Sequence, residues 1–225
     1  MCGGVEVALA RGAAELEALS LSPRTTAYAV DLGAGFGMHA IPLAQRRFEV
    51  LAIDCSTELL RELRAVAADL PIRCAEDNIS NFRNHLDRAP EVVLCMGDTL
   101  THLPDIRAVD SLIADVAAAI APGGSFVLSF RDYTTALLGE RRFIPVKSDA
   151  DRILTCFLEY EDAHVNVHDL VHEREQSSWR QRVSAYRKLR LAPDQVSRAL
   201  ERAGFQTRRE AGLSGMVRLV AQRAG

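Results

Sequence analysis

Short apolar runs alternate with segments of helical periodicity through about residue 131. The runs at 27–32, 48–53, 71–75, 91–97 and 125–130 predict five short strands. Helices are predicted over 5–19, 56–68 and 111–121, and a further helix begins near Ala40. Strands that alternate with helices in this way indicate a parallel sheet with helices on both faces.

The pattern changes over residues 140–192. Ile153–Tyr160, Val165–His172 and Trp179–Leu189 predict three strands of an inserted antiparallel layer. A helix over 195–203 and two strands, Phe205–Glu210 and Val217–Gln222, are predicted after it. We therefore expect one α/β domain over residues 1–225, with the β-layer of residues 140–192 inserted after the fifth strand.

The first strand runs into glycines at every second position, Gly33, Gly35 and Gly37. A strand, a glycine turn and the start of a helix together present backbone N–H groups to a ligand. The spacing does not fit a dinucleotide fingerprint, because Met38 stands where that motif has its third glycine. A phosphate-binding loop of the G-x-x-x-x-G-K-[ST] type is not present either.

The stretch D-L-G-A-G-F-G closely resembles the first motif of the class I S-adenosylmethionine (SAM)-dependent methyltransferases. The P-G-G turn before Ser125 resembles a second segment of that family. The resemblance implies a Rossmann-like domain with a mostly parallel seven-stranded sheet and SAM as the cofactor. In that arrangement the loop of Gly33, Ala34 and Gly35 passes under the methionine part of SAM, and Asp31 helps to hold its amino end.

Asp54 ends the second predicted strand. A carboxylate at this tip can accept hydrogen bonds from both hydroxyls of a ribose, and Asp54 follows Gly37 at close to the roughly 20-residue interval of dinucleotide sites. We predict that Asp54 and the adjacent Cys55 contact the cofactor. Asp54 could also cap the helix over 56–68, and both roles can hold, because Cys55-Ser56-Thr57 offers other caps.

The third and fourth strands are each followed by polar residues. The family resemblance places an acid or amide after the third strand, against the adenine amino group, so we predict Asp77 there, with Glu76 as a substitute. Asn78 is expected beside it, and Ile79 or Phe82 against the ring; a solvated loop is the alternative. Cys95 and Met96, in the fourth strand, are predicted to contact the cofactor, although Cys95 also suits the core.

Acceptor-side chemistry is expected after strands four and five. M-G-D-T-L-T-H-L and R-D-Y resemble segments of the glycine and sarcosine N-methyltransferases, although Asp98 and Asp132 replace asparagines of that pattern. The resemblance implies that Arg131 anchors a substrate carboxylate, for which its planar guanidinium is suited. We predict catalytic roles for His102, Asp98 and Tyr133, and substrate binding by Arg131, Tyr133 and Thr101.

Two of these roles have alternatives. Arg131 could pair with Asp132 or Asp98 and be purely structural. His102 could act as a general base near neutral pH, or it could be a buried histidine that a backbone carbonyl satisfies. Five side chains of the insertion are candidates to roof the substrate pocket: Tyr160, Trp179, Arg180, Arg182 and Tyr186.

Composition narrows the function classes. The 225-residue chain has a net charge of −3 and no basic tract, which disfavours nucleic acid, and no apolar run long enough for a membrane span. Its five cysteines form no C-x-x-C pair and suit a reducing cytoplasm better than a zinc site. His168 and His172 would lie about 13 Å apart along a strand, so no metal is expected.

The sequence thus predicts methyl transfer from SAM to nitrogen or oxygen of a small molecule, one that carries a carboxylate if Arg131 acts as an anchor. A non-catalytic SAM-binding regulator or partner subunit is the first alternative. A nicotinamide-dependent oxidoreductase is the second and is disfavoured by Met38. A homodimer is the expected assembly, on the weak ground of an exposed β-layer.

Overall fold

The computed structural model describes residues 2–225. Its helices and strands are as follows: α1 Cys2–Ala18, β1 Tyr28–Leu32, α2 Ala40–Gln45, β2 Glu49–Asp54, α3 Thr57–Ala67, β3 Ile72–Glu76, β4 Val92–Cys95, α4 Ile106–Ala119, β5 Ser125–Phe130, β6 Phe143–Ser148, β7 Arg152–Tyr160, β8 His164–Glu175, β9 Ser178–Leu189, α5 Pro193–Arg202, β10 Phe205–Ala211 and β11 Val217–Arg223. Short 3-10 turns cover Ile79–His85, Thr99–His102, Gly139–Arg142 and Leu213–Gly215.

The main sheet has seven strands in the order β10-β11-β5-β4-β1-β2-β3. Strands β1 to β5 pair in parallel, and β11 joins β5 and β10 antiparallel. The chain moves outward from β1 to β3 and then returns to β4 on the other side of β1. Ligands of open α/β sheets bind at such a reversal, beyond the carboxyl ends of the strands.

Two apolar clusters cover the two faces of this sheet. Val30 and Leu32 of β1 point into the cluster that contains α4 and α5. Ala29 points into the other cluster, with α2 and α3. Because both faces are buried, the central strands β1, β4 and β5 are almost continuous apolar runs, as expected for a parallel sheet under two helical layers.

The insertion forms a separate antiparallel sheet in the order β6-β7-β8-β9. The sequence predicted its last three strands but not β6. Pro145 lies within β6, and the pairing with β7 shifts between Pro145 and Lys147, which leaves Val146 as an extra residue in a β-bulge. A proline in an exposed edge strand hides the strand pattern from sequence reading.

Helix α4 begins earlier than the predicted residue 111. The Asp105 carboxylate accepts a hydrogen bond from the backbone N–H of Ala108 at 2.9 Å, so Asp105 is the N-cap and the helix starts at Ile106. Pro42 lies in the first turn of α2, as expected, where its missing N–H costs no helical hydrogen bond.

Candidate active site

The glycine turn after β1 lies against the segment that follows β4. Gly33 adopts a left-handed φ of +78°, and a Cβ at this position would lie only 2.4 Å from Cγ2 of Thr99. The backbone N–H groups of Gly33 and Ala34 both donate to the carbonyl of Ile53, at 2.8 and 3.0 Å. Only glycine therefore fits at position 33, and the turn is fixed to the end of β2.

Asp31 lies buried beneath this turn. Among the described residues, its Oδ2 is the one buried side-chain oxygen or nitrogen without a hydrogen-bond partner. Burial raises the pKa of Asp31 to about 6, although the nearby His39 acts in the opposite direction. An unpartnered buried carboxylate is unfavourable on its own, so the site is suited to a cationic or hydrogen-bond-donating group of a ligand.

Asp54 is held at the tip of β2 by two backbone groups. Its Oδ2 accepts from the N–H of Gly35 at 2.8 Å, and its Oδ1 accepts from the N–H of Ser56 at 2.9 Å. The N-cap of α3 is Ser56, whose hydroxyl accepts from the N–H of Leu59. The interpretation of Asp54 as the helix cap is therefore wrong, and the carboxylate instead links the glycine turn to the start of α3.

Asp77 follows β3 and is oriented by its own neighbours. Its Oδ1 accepts from the backbone N–H of Asn78 and from the side chain of Asn81, and its Oδ2 lies 2.8 Å from Nε2 of His85. These hydrogen bonds, the one with His85 foremost, lower the pKa of Asp77. The carboxylate is therefore ionised and fixed at neutral pH.

A cleft of about 410 Å³ connects these strand tips. Seven residues predicted for the cofactor or the chemistry line it: Gly33, Asp54, Cys55, Asp77, Asn78, Ile79 and His102. Leu59 and Thr99 also line it and were not predicted. Glu76, the substitute for Asp77, does not line the cleft; its carboxylate accepts from the hydroxyl of Thr57 at 2.7 Å.

The other predicted cofactor residues do not line this cleft. Cys95 and Met96 are buried in the two apolar clusters, and burial raises the pKa of the Cys95 thiol. Phe82 is fully buried in the core, whereas Ile79 faces the cleft. Ala34 and Gly35 belong to the turn itself.

Asp98 is the centre of a buried polar cluster on the acceptor side. It adopts a left-handed φ of +76°, and its side chain is 6% exposed. Its Oδ1 accepts from the backbone N–H of Arg131 at 2.9 Å, and its Oδ2 accepts from the Tyr133 hydroxyl at 3.3 Å and from the ammonium of Lys188. Asp98 therefore joins the ends of β4 and β5 to the inserted strand β9.

Lys188 was missed by sequence reasoning. It lies near the end of β9, 11% exposed, and forms an ion pair with Asp98. A lysine in a strand of mostly polar residues is typical of a solvated face. The available signal was its position two residues after Tyr186, because residues two apart in a strand lie on the same face of the sheet. Tyr186 itself was predicted as a candidate for the roof of the substrate pocket.

The remaining catalytic candidates surround this cluster. His102 lines the cleft and stacks on Tyr186 with ring centroids 5.7 Å apart. Partial burial and the Lys188 ammonium lower the pKa of His102. Burial and the adjacent Asp98 raise the pKa of the Tyr133 hydroxyl, so that it remains protonated. The neutral imidazole is the form that can accept a proton.

Thr101 and Arg131 lie in different environments. Thr101 is fully buried, and its hydroxyl donates to the carbonyl of Asp98 at 2.7 Å. The Arg131 guanidinium is exposed and donates to the carbonyl of Ser214 at 2.9 Å. Within the described residues, the Arg131 guanidinium forms no ion pair with Asp132 or Asp98. The contact between Arg131 and Asp98 is the hydrogen bond that the backbone N–H of Arg131 donates to the Asp98 carboxylate.

Two further cavities adjoin the cleft. One, of about 440 Å³, lies between the end of β5 and the inserted sheet, and Arg131, Tyr133, Tyr160, Tyr186 and Lys188 line it. We call it the insertion cavity. Of the five residues suggested as a roof over the substrate pocket, Tyr160 and Tyr186 line this cavity, whereas Trp179, Arg180 and Arg182 do not.

The other cavity, of about 430 Å³, lies beside the glycine turn under α1. Its lining includes Arg11, Met38, Gly97 and a buried pair in which Nε2 of His39 lies 3.1 Å from the Glu15 carboxylate. The Arg11 side chain forms no ion pair in the part of the chain that the structure describes. Met38, which lines this cavity, directly follows Gly37, the third glycine of the turn.

No group of three or more potential metal ligands occurs within residues 2–225. His168 lies 3.1 Å from the carboxylate of Glu159 across two paired strands. None of the helices in the described part of the chain combines the length and the apolar character that crossing a membrane requires.

Residues 29–124 match a family model described as "Methyltransferase domain". Over these residues the chain is similar to that family of domains. The glycine/sarcosine N-methyltransferase of Aphanothece halophytica is 26% identical over 110 residues, which cover 48% of this chain and 42% of that protein. The glycine N-methyltransferase of Mus musculus is 25% identical over 143 residues, which cover 56% and 49% of the two chains. The chain thus spans less than half the length of these curated relatives.

The fold extends over nearly the whole chain. The solved structure of DesVI from Streptomyces venezuelae superposes with a TM-score of 0.79, and the match covers 96% of this chain and 92% of DesVI at 17% sequence identity. The predicted Rossmann-like fold with an inserted antiparallel layer and the resemblance to class I methyltransferases are confirmed.

Proposed function

We propose that this protein binds S-adenosylmethionine and transfers its methyl group to a small-molecule acceptor. The observation that carries the proposal is the unpartnered Oδ2 of Asp31, buried beneath a glycine turn at the reversal point of the sheet. The methionine part of SAM carries an ammonium group that would satisfy this carboxylate. The cofactor is further supported by the family match of residues 29–124.

The residues around the glycine turn suit the successive parts of SAM. Asp54 is assigned to the ribose hydroxyls, Asp77 to the adenine amino group, and Cys55, Asn78 and Ile79 to the walls of the cleft. Asp31 and the turn of Gly33, Ala34 and Gly35 are assigned to the methionine part, with Cys95 and Met96 contributing backbone at the end of β4. Arg11, in the cavity under α1, is a suitable partner for the methionine carboxylate.

Acceptor chemistry is assigned to the residues that follow β4 and β5. When bound, SAM supplies an electrophilic methyl group on a sulfonium that leaves without assistance. The protein therefore contributes positioning and exclusion of water. We assign His102 as the group that takes the proton from the acceptor N–H or O–H as the carbon–nitrogen or carbon–oxygen bond forms.

Asp98 and Tyr133 are assigned to the fixed wall beside the acceptor, Thr101 to its support, and Arg131 to an acceptor carboxylate. Nitrogen is favoured as the methyl acceptor, because the curated relatives are named as N-methyltransferases. The alternative of a nicotinamide-dependent oxidoreductase is disfavoured by the family match.

Calorimetry tests the cofactor assignment. Asp54→Ala is expected to weaken SAM binding at least tenfold, because the ribose acceptor is lost and the turn is released from α3. Asp69→Ala, at an exposed position outside the cleft, is the matched control and is expected to bind SAM normally. Unaltered SAM affinity in Asp54→Ala would remove the assignment of the cleft.

Transfer of a radiolabelled methyl group distinguishes an enzyme from a non-catalytic SAM-binding subunit. A catalyst releases S-adenosylhomocysteine in a single turnover with an acceptor, whereas a regulator binds SAM without release. Because the pKa of His102 is lowered, kcat is expected to stay high below pH 6.5 and to fall only at more acidic pH. A kcat profile for His102→Gln that keeps this acidic limb would contradict the proton-acceptor role.

The expected partners follow from charge and surface. With a net charge of −3, the protein is proposed to act on small molecules and not on nucleic acid. The cytoplasm is its proposed location, because five cysteines without a C-x-x-C pair suit a reducing compartment. A homodimer through the inserted sheet is proposed because large apolar residues such as Phe143 and Trp179 are exposed there. Light scattering at several concentrations tests it, and a constant monomeric mass would exclude it.

A further inference from the structure

One face of the inserted sheet forms the wall of the insertion cavity. Ile144, Cys156, Leu158, Val167 and Tyr186 alternate along β6 to β9, and the pairing places Ile144 opposite Cys156, Leu158 opposite Val167, and Val167 opposite Tyr186. Residues directly opposite each other share a face of the sheet. The cavity therefore has a continuous wall of apolar and aromatic side chains.

This wall includes apolar side chains that are exposed. Val146 is 54% exposed and Ile144 is 37% exposed, and both line the cavity. The β-bulge at Val146 interrupts the regular pairing of β6 at this point, and bulges redirect side chains in this way. Exposed apolar surface gathered in a concave site is typical of a ligand-binding pocket.

Each charged side chain that lines the cavity already has an ion-pair or hydrogen-bond partner within the protein. The Lys188 ammonium is neutralised by Asp98 within the buried cluster. The Asp132 carboxylate accepts from the backbone and hydroxyl of Thr134, and the Arg131 guanidinium donates to the carbonyl of Ser214. Apolar contact, with Arg131 at the rim, is therefore the main source of affinity that the cavity offers.

The size of the cavity also favours a ligand larger than glycine. Its volume of about 440 Å³ falls within the roughly 300–1,000 Å³ of pockets that enclose drug-sized ligands. Glycine would leave most of it filled with water against apolar walls. Tyr186 belongs to this cavity and stacks on His102, which lines the cofactor cleft, so the cavity and the cleft meet at this pair of rings.

We propose that the insertion cavity binds the acceptor through an apolar, ring-bearing body, which makes the substrate class different from that named for the glycine and sarcosine relatives. This inference rests on the proposed methyltransferase function, and it deepens that function by naming the acceptor class. The acceptor is a ring-bearing amine or alcohol whose ring lies against β6 to β9.

Ligand-observed NMR with two sets of probes tests the inference. Tyramine and 4-aminobenzoate represent ring-bearing acceptors, and glycine and sarcosine represent small polar ones. The ring-bearing probes are expected to bind at least tenfold more tightly than the small ones. Val146→Trp, which fills the cavity from an exposed position, is expected to weaken their binding at least fivefold.

Val183→Trp is the matched control. Val183 is 57% exposed on the same sheet, but it pairs with Leu170 on the opposite face and does not line the cavity. Its ring-probe affinity is expected to stay within twofold of the unaltered protein. The proposal is overturned if glycine or sarcosine binds as tightly as the ring-bearing probes, if neither ring probe binds, or if the two tryptophan variants behave alike.

S-adenosylhomocysteine binding is measured in the same samples. If S-adenosylhomocysteine does not bind, the proposed function fails, but the comparison of the probes in the cavity is unaffected. If S-adenosylhomocysteine binds and the ring probes do not, the acceptor class is wrong and the methyltransferase function stands.

Discussion

The two sheets of this molecule differ in how they are buried. Every residue of β1 and β5 is buried between helical layers. In the inserted sheet, β9 is exposed along its length except at Lys188 and Leu189. The main sheet is held by packing on both faces, whereas the inserted sheet is held by a small apolar cluster with Tyr133 and by the buried pair of Lys188 and Asp98.

The comparison shows where each region places its chemistry. In the main sheet, carboxylates stand at or next to the ends of strands whose buried residues are otherwise apolar, as with Asp31 and Asp54. In the inserted sheet, one face is used for a cavity wall and one end for a buried ion pair. Substitutions in the two sheets should therefore differ in how much they change the free energy of unfolding and in whether they change SAM binding.

Lys188→Met should give the largest loss of stability. It leaves the Asp98 carboxylate buried without its counterion, which typically costs about 3–5 kcal/mol in the free energy of unfolding. Denaturant unfolding measures the loss. The double variant Lys188→Met/Asp98→Asn should recover part of it, and strictly additive effects would show that the two side chains do not interact in solution.

Asp31→Asn should stabilise the ligand-free protein at neutral pH. With a pKa of about 6 when folded and 3.8 as the ordinary value, the folded state binds this proton more strongly than the unfolded state. The associated stability is fully present below pH 3.8 and is lost as pH rises to about 6, a loss of about 3 kcal/mol.

The Asp31→Asn variant does not lose this stability as the pH rises. Its free energy of unfolding should therefore exceed that of the unaltered protein clearly at pH 7.5, and the difference should disappear near pH 4. SAM affinity should fall in the same variant. Asp69→Asn, at an exposed site, should show neither change. A stability difference for Asp31→Asn that is independent of pH would contradict the raised pKa.

Gly33→Ala should abolish most SAM binding. The new Cβ would lie 2.4 Å from Cγ2 of Thr99, so the turn or the Thr99 segment must move, and we expect a loss of roughly 100-fold, about 2.8 kcal/mol. Gly123→Ala tests strain alone, because Gly123 has a similar φ of +71° with no atom within 4 Å of the new Cβ. Equal SAM affinities in the two variants would refute the close approach at Gly33.

Arg182→Ala should have the smallest effect. Arg182 belongs to β9, as Lys188 does, but its ion pair with Glu173 is solvent-exposed. Exposed pairs contribute about 0–1 kcal/mol, so the unfolding midpoint should hardly change and should become less sensitive to salt. A loss of unfolding free energy as large as that of Lys188→Met would mean that burial does not explain the difference between the two ion pairs.

The main sheet could be predicted from the sequence because its signals are local. A strand buried on both faces is a continuous apolar run, and Gly33 and Asp54 stand at the ends of such runs; Asp77 follows the edge strand β3, which is partly exposed. The strand tips then meet at one edge because the sheet is parallel. The predicted α4 started late because Asp105 was not recognised as its cap.

The acceptor side could be predicted only in part, because its contacts join distant residues. Lys188 and Asp98 are 90 positions apart, and no local pattern links them. Strand β6 is interrupted by Pro145 and a bulge, so it lacks the alternation that identified β8. Thr101 was predicted to contact substrate from its place after β4, whereas burial directs its hydroxyl to the backbone.

The stacked rings of His102 and Tyr186 have a consequence for the order of events. His102 lines the cofactor cleft and Tyr186 lines the insertion cavity, so the position of each ring depends on what binds at both sites. A cofactor that fixes His102 also fixes the Tyr186 ring that the acceptor meets, and the reverse holds to the same extent by thermodynamic linkage. The two ligands of this protein are therefore expected to bind cooperatively.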